Sequence, residues 1–209
     1  MRGDLILSFD NDAMTWDTDK RIDRARIIAN KISNSSGFNE NYSVMEFGCG
    51  TGLVSFNLYK KYRSIALVDS SKGMIDILNL KIKKYQATNM VAYHLDITNE
   101  NLLDMKFDVI YTSMVLHHIQ DTKAIIQRLY ELLNKDGFLC IVDLDEEDGS
   151  FHKNNPEFDG HNGFNQDALK NTLRSCGFKD IESNNFYYDE KTIESEKVKY
   201  SLFLMKGRV

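Results

Sequence analysis

Val44-Met45-Glu46-Phe47-Gly48-Cys49-Gly50-Thr51-Gly52 is the stretch that decides how this chain reads. A short strand-like run, Val44 to Phe47, feeds three glycines at alternate positions, and Leu53 opens what reads as a helix. Glycine accepts the backbone angles of a tight turn, and without a side chain it lets a ligand approach the main chain. Alone, such a turn is weak evidence of function.

Working outward, short apolar runs recur at Ile65 to Val68, Met90 to Tyr93, Val109 to Tyr111 and Phe138 to Val142, with helix-like stretches between them. That alternation predicts an α/β fold with a doubly wound, mostly parallel sheet and helices on both faces. Asp69 closes the second run, roughly 20 residues past the turn, where an acid accepts hydrogen bonds from ribose hydroxyls. Asp96 closes the third in His94-Leu95-Asp96-Ile97, placed to accept from an exocyclic adenine amine while Ile97 flanks the ring. Taken separately, Asp69 and Asp96 also read as helix caps. A dinucleotide fingerprint would need glycine at position 53, where Leu53 stands, and Glu46 within the turn suits a cationic ligand better than a pyrophosphate.

Four segments in order, covering roughly residues 40 to 145, resemble class I, Rossmann-like methyltransferases that use S-adenosylmethionine (SAM). They are Val44 to Gly52; Ala66-Leu67-Val68-Asp69 with Met74; His94-Leu95-Asp96; and Phe107-Asp108-Val109-Ile110-Tyr111-Thr112-Ser113-Met114-Val115-Leu116-His117-His118. The resemblance implies a seven-stranded sheet with an antiparallel last strand and an N-terminal lid helix. It also implies the methionine part of SAM near Gly48 to Gly50, ribose on Asp69 and adenine near Asp96. The cofactor-binding set expected on this reading is Glu46, Gly48, Cys49, Gly50, Thr51, Gly52, Asp69, Ser70, Met74, Asp96, Ile97 and Thr112. Lys135-Asp136-Gly137-Phe138 departs from the family's usual Lys-Pro-Gly-Gly but keeps turn chemistry.

At 209 residues and 42% hydrophobic content the chain suits one domain with one large core. It divides into an N-terminal helical cap (1–40), a cofactor-binding core (41–145), and a substrate loop with C-terminal strands (146–209). A net charge of −5 supplies no overall basic field for nucleic acid. Cys49, Cys140 and Cys176 form no C-x-x-C pair, and the run Leu5-Ile6-Leu7-Ser8 is too short for a signal-peptide core or a membrane span. The expectation is a reduced, cytoplasmic protein, monomer or homodimer, with no membrane or nucleic-acid partner.

Helical spacing marks Ile22, Ala25, Ile28, Ala29 and Ile32, and again Ile125, Leu129, Leu132 and Leu133 behind an Asp121 N-cap. A long loop, Asp143 to Gly163, carries the only proline, Pro156, ahead of a helix from about Asn165 to Cys176. Two strands, Ile181 to Tyr188 and Val198 to Met205, follow, separated by charged Asp189 to Lys197.

Candidate general bases are His117, after the fourth strand, and His152 and His161 in the loop. Trp16 either caps the core or walls the site. The loop acids Asp143, Asp145, Glu146, Glu147, Asp148 and Asp159 lack regular ligand spacing, so no metal is expected. Nucleobase amino-methyltransferases carry Asn/Asp-Pro-Pro-aromatic after the fourth strand, whereas this chain reads Thr112-Ser113-Met114-Val115. The segment resembles instead the small-molecule branch, including type 11/12 and quinone-biosynthesis methyltransferases. Methyl transfer to a small-molecule acceptor is the expected function. A non-catalytic SAM-binding subunit and an NAD-type oxidoreductase are the alternatives.

Overall fold

The computed structural model describes residues 3–35, 39–97, 105–155 and 158–209, without the side chains of residues 3–5. Seven strands form one sheet: β1 (Ser43–Phe47), β2 (Ser64–Asp69), β3 (Met90–His94), β4 (Phe107–Ser113), β5 (Leu133–Leu144), β6 (Lys179–Ile193) and β7 (Glu196–Arg208). Their order is β3-β2-β1-β4-β5-β7-β6; the first five neighbours pair in parallel, and β7 runs antiparallel to both β5 and β6. This is the doubly wound sheet that the pattern predicts, with the antiparallel strand that the resemblance implies. The chain leaves β1 toward β2 and β3 and then returns to the other side of β1 as β4, so the strand order reverses between β1 and β4. Such a switch point opens a crevice at the carboxyl ends of the strands.

Alternation along the strands divides the core into two layers. Val44, Ile65, Leu67, Val109, Tyr111 and Val142 pack with Ala25, Ile28, Ala29 and Ile32 of α2 (Asp19–Ser33) and with Ile75 and Leu78 of α3 (Lys72–Tyr85). Met45, Phe47, Val68, Ile110 and Ile141 pack with Ile125, Ile126 and Leu129 of α4 (Thr122–Glu131) and with Leu169 and Leu173 of α5 (Gln166–Ser175). The period of two sends successive side chains to opposite faces, and each face needs its own helical cover.

Side-chain caps start the four helices. Thr18, Ser71, Asp121 and Asn165 accept from the backbone N–H of Arg21, Met74, Ala124 and Ala168, satisfying donors that a helix leaves orphaned.

The structure corrects three expectations. No α-helix follows Gly52; the chain makes two 3-10 turns, Ser55–Asn57 and Tyr59–Lys61. Asn57 turns its side-chain amide onto the Leu53 carbonyl at 2.9 Å, the acceptor that a helix would need at that step. The charged segment 189–197 is no linker, because β6 and β7 extend through it and meet at Glu194-Ser195, both with positive φ (47° and 72°), the backbone of a tight hairpin turn. Asp143 belongs to β5, not to the loop, and Pro156 lies outside the described residues.

A further helix, α1 (Gly3–Asp12), precedes α2. Its Asp10 carboxylate accepts from Ser71 Oγ (2.6 Å) and Gly73 N (2.8 Å), seating α1 on the start of α3. A Cβ at Gly73 would lie 2.7 Å from the Asp10 carbonyl oxygen and 2.9 Å from Asp10 Cα. Both are main-chain atoms, with no rotamer to swing away.

Ordinarily a helical Gly→Ala change stabilises by up to about 1 kcal/mol. For Gly73→Ala we expect faster proteolytic cleavage within residues 3–18 and no gain in Tm. A higher Tm with unchanged cleavage would refute the seating of α1.

Candidate active site

The glycine turn lies at the switch point. Gly48, Gly50 and Gly52 have φ of 70°, 51° and 81°, the left-handed region that favours glycine. A Cβ at Gly48 would meet Val115 Cγ2 at 2.3 Å, so the segment after β1 and the segment after β4 touch across the crevice. Asp69, at the end of β2, locks the turn: its Oδ2 accepts from Gly50 N at 2.7 Å and its Oδ1 from Ser71 N at 2.8 Å. Burial raises the Asp69 pKa against these hydrogen bonds.

Glu46 is buried behind the turn. Ser55 Oγ donates to Glu46 Oε2, and the Tyr111 hydroxyl lies 2.5 Å from the same Ser55 Oγ. Desolvation, reinforced by the Asp69 charge, pushes the Glu46 carboxyl up to about 8. The side chain is therefore largely protonated at neutral pH, and a cation arriving beside it would favour the ionised form.

A cavity of about 460 Å³ opens in front of the turn. Its floor is Glu46, Gly48, Cys49, Gly50 and Thr51; Asp69, Ser70, Met74, Asp96 and Ile97 line one end. The structure thus gathers ten of the twelve residues expected to bind cofactor. The other two do not line the cavity: Gly52 packs toward Leu78 and Phe56, and Thr112 is buried in the sheet with no partner for its hydroxyl among the described residues.

The N-terminal segment forms the roof. Phe9 and Trp16 line the cavity and pack edge to face with ring centroids 5.7 Å apart. Thr51 Oγ1 donates to Asp17 at 2.5 Å, and Lys81 pairs with the same carboxylate at 2.8 Å. Of the two readings of Trp16, the structure takes the site wall.

Histidines also stand in the wall of the cavity. His117 and His118 follow β4, and His152 comes from a 3-10 turn (Ser150–His152) in the long loop; all three line the cavity. His117 Nδ1 donates to buried Asp143 Oδ1 at 2.5 Å, and Asp143 also accepts from Leu144 N at 2.8 Å. With Nδ1 committed, Nε2 is the ring nitrogen left for a ligand. His152 stacks on Phe158 with centroids 3.7 Å apart. Burial, with like charge from His117, pushes His118 down to about 2 and His152 to about 4, so both rings are neutral at physiological pH.

Ring nitrogens of His117, His118 and His152 all lie within 4.8 Å of one another, making these imidazoles the described residues whose donors could share an ion. The loop acids, where sequence reading looked for metal ligands, are not part of that group. His161 is elsewhere: its Nε2 lies 3.0 Å from Thr122 Oγ1 and 2.9 Å from the Ile119 carbonyl, a tie between loop and α4.

Sequence reading missed Asp143 as the partner of His117, although the signal exists. Asp143 follows the apolar run Cys140-Ile141-Val142 on the same sheet edge as Asp69. Phe151, Tyr200, Arg24 and Lys191, which also line the cavity, come from elements distant in sequence and leave no local signal.

The methyltransferase-domain family matches residues 20–183, and this chain belongs to it. An uncharacterized methyltransferase of Schizosaccharomyces pombe is 29% identical over 154 residues, covering 67% of this chain and 54% of the relative. A malonyl-[acyl-carrier protein] O-methyltransferase of Priestia megaterium is 29% identical over 135 residues, covering 63% of this chain and 47% of the relative. The chain spans about half the length of these curated relatives. In fold it is similar to phosphoethanolamine N-methyltransferase 2 of Haemonchus contortus, solved with phosphomonomethylethanolamine and S-adenosylhomocysteine. The TM-score is 0.71 and the identity 14%, over 85% of this chain and 51% of that one. No helix among the described residues is long and apolar enough to cross a membrane.

Removing the His117 ring strands the Asp143 carboxylate, and breaking a buried pair in this way costs about 3–5 kcal/mol. We expect His117→Ala to lower the urea midpoint accordingly and His117→Ala/Asp143→Asn to recover part of the loss. Equal midpoints for wild type and His117→Ala would show that the pair carries no such energy.

Proposed function

We propose that the chain is a SAM-dependent methyltransferase acting on a small-molecule acceptor, its 209 residues working as one domain in a reducing, cytoplasmic setting. The observation that carries this reading is the glycine turn locked by Asp69 at the switch point, with a buried carboxyl, Glu46, behind it and histidines across the cavity.

The residues present fit the cofactor. Gly50 leaves open space that a side chain would fill, Asp69 offers its remaining lone pairs to ribose hydroxyls, and Asp96 with Ile97 suits the adenine end. Glu46 answers the cationic end. SAM supplies a methyl group on a sulfonium, which leaves as a neutral thioether in an in-line displacement.

The protein's part is to orient the acceptor and exclude water. Phe9, Trp16 and the α1–α2 roof shield the turn. His117, held by Asp143, presents Nε2 to the acceptor and takes its proton where one must leave, with His152 beside it. His161, tied to α4, serves the loop's position instead. Displacement from a sulfonium needs no Lewis acid, so the imidazoles are assigned to the acceptor.

Deleting a carboxylate that accepts from a ligand forfeits a charged hydrogen bond, roughly 10- to 100-fold in affinity. Isothermal titration of Asp69→Ala with SAM and S-adenosylhomocysteine should show that loss against the wild type, with no NADH binding by either protein. Tight NADH binding, or unchanged SAM affinity in Asp69→Ala, would overturn the assignment.

The Glu46 carboxyl makes cofactor binding pH-dependent. A cation binds the ionised form, whose population grows as pH climbs toward about 8. S-adenosylhomocysteine, whose amino group is cationic, should therefore bind more tightly as pH rises, by up to about tenfold per unit below that value. Glu46→Gln should flatten the profile; a wild-type affinity that is flat or falls with pH would contradict the role.

A further inference from the structure

The same cavity also carries positive charge. Arg21 and Arg24 on α2 and Lys191 on β6 all line it, in a chain whose net charge is −5. Among the described residues none of the three forms an ion pair. Arg21 lies 3.8 Å over the Trp16 ring and donates to the Trp16 carbonyl. Arg24 Nη1 donates to the Tyr200 hydroxyl at 3.4 Å, and Lys191 Nζ donates to the Phe151 carbonyl at 3.2 Å and sits 4.6 Å from that ring.

The nearby acids are occupied: Asp189 is held by Lys20 and by the Tyr187 and Tyr200 hydroxyls, and Asp17 by Lys81 and Thr51. Asp12 lines the cavity on the Arg21 side and acts on that guanidinium only through space. Burial and then mutual repulsion lower the pKa of Lys191, with Arg21, Arg24 and Lys20 as the repelling charges. Converging cations without counter-charge are an anion site awaiting its ligand.

Phe151 and Tyr200, packed with centroids 5.0 Å apart, give Arg24 and Lys191 a common base, and Phe151 adjoins His152 at 4.9 Å. Arg21, the first of the charges that repel Lys191, is turned onto the Trp16 ring. We infer that Arg24 and Lys191, on the Phe151–Tyr200 pair, bind an oxyanion, a carboxylate or phosphate, carried by the acceptor beside His152. The acceptor is thus an anionic small molecule whose reactive atom lies near His117 and His152. Assigning the anion to the acceptor rests on the methyl-transfer reading; the existence of the anion site does not. The same cations facing the cofactor's own carboxylate is the competing source.

The test uses chain saturated with S-adenosylhomocysteine, so that any cofactor carboxylate site is filled, titrated with inorganic phosphate and with succinate at constant ionic strength. Trp16, the only tryptophan, reports through its fluorescence. Wild type should bind both probes, and Arg24→Gln/Lys191→Gln should weaken them by at least about tenfold, the loss of one or more charged hydrogen bonds. Its S-adenosylhomocysteine affinity should stay within about twofold of wild type, and its circular dichroism unchanged. Probe affinity unaffected by the double substitution overturns the site. A parallel loss of S-adenosylhomocysteine affinity overturns the acceptor assignment and gives the cations to the cofactor. If wild type binds no S-adenosylhomocysteine, the methyl-transfer reading fails by itself, and the phosphate titration on the bare chain still decides whether Arg24 and Lys191 hold an anion.

Discussion

The bond from Gly50 N to the Asp69 carboxylate is the constraint on which the site depends. It joins the turn after β1 to the end of β2, so the two adjacent strands present one rigid rim to the cavity. A carboxylate at that rim is costly to bury, and the structure offsets the cost with main-chain donors from both sides, Gly50 and Ser71. The positive φ at Gly50 is what aims its N–H at the acid. With Gly48 pressed against Val115, β1, β2 and β4 meet at one point, and the crevice has a fixed width on the side where the strand order reverses.

The roof depends on that rim in turn. Ser71 accepts from Met74 N to start α3 and donates to Asp10 to seat α1, so one hydroxyl serves helix and lid together. Thr51, within the glycine turn, donates to Asp17 just ahead of α2. The lid is thereby wired to the two segments that flank Asp69, and whatever alters the rim alters the enclosure.

How much of this was legible in the sequence follows from the range of each interaction. Strand-end acids such as Asp69 and Asp96, the Asp121 cap and the period-two runs are local signals, and the parallel sheet followed from them; the resemblance added the set of residues of which ten line the cavity. The helix expected after Gly52 did not form, because Asn57 and Ser55 spend their side chains on Leu53 and Glu46, contacts that periodicity does not register. The β6–β7 hairpin was cut short in the reading because exposed edge strands carry charged residues that resemble a linker. His161 and His152 are indistinguishable by composition; only the path of the loop sends one to α4 and the other to the cavity.

What no local pattern could display is the polarity of the cavity as a whole. Glu46, Asp69 and Asp96 line the same cavity as Arg24 and Lys191, and the neutral rings of His118 and His152 stand in its wall with them. These charges come from β1, β2, the segment after β3, α2 and β6, elements far apart in sequence that line one cavity. On the proposed reading the carboxyl groups answer a sulfonium donor and the two cations an anionic acceptor, so the charges of the wall give donor and acceptor separate places. The overall negative charge of the chain gives no sign of this, because net charge governs encounter at a distance whereas the walls of a cavity govern orientation within it.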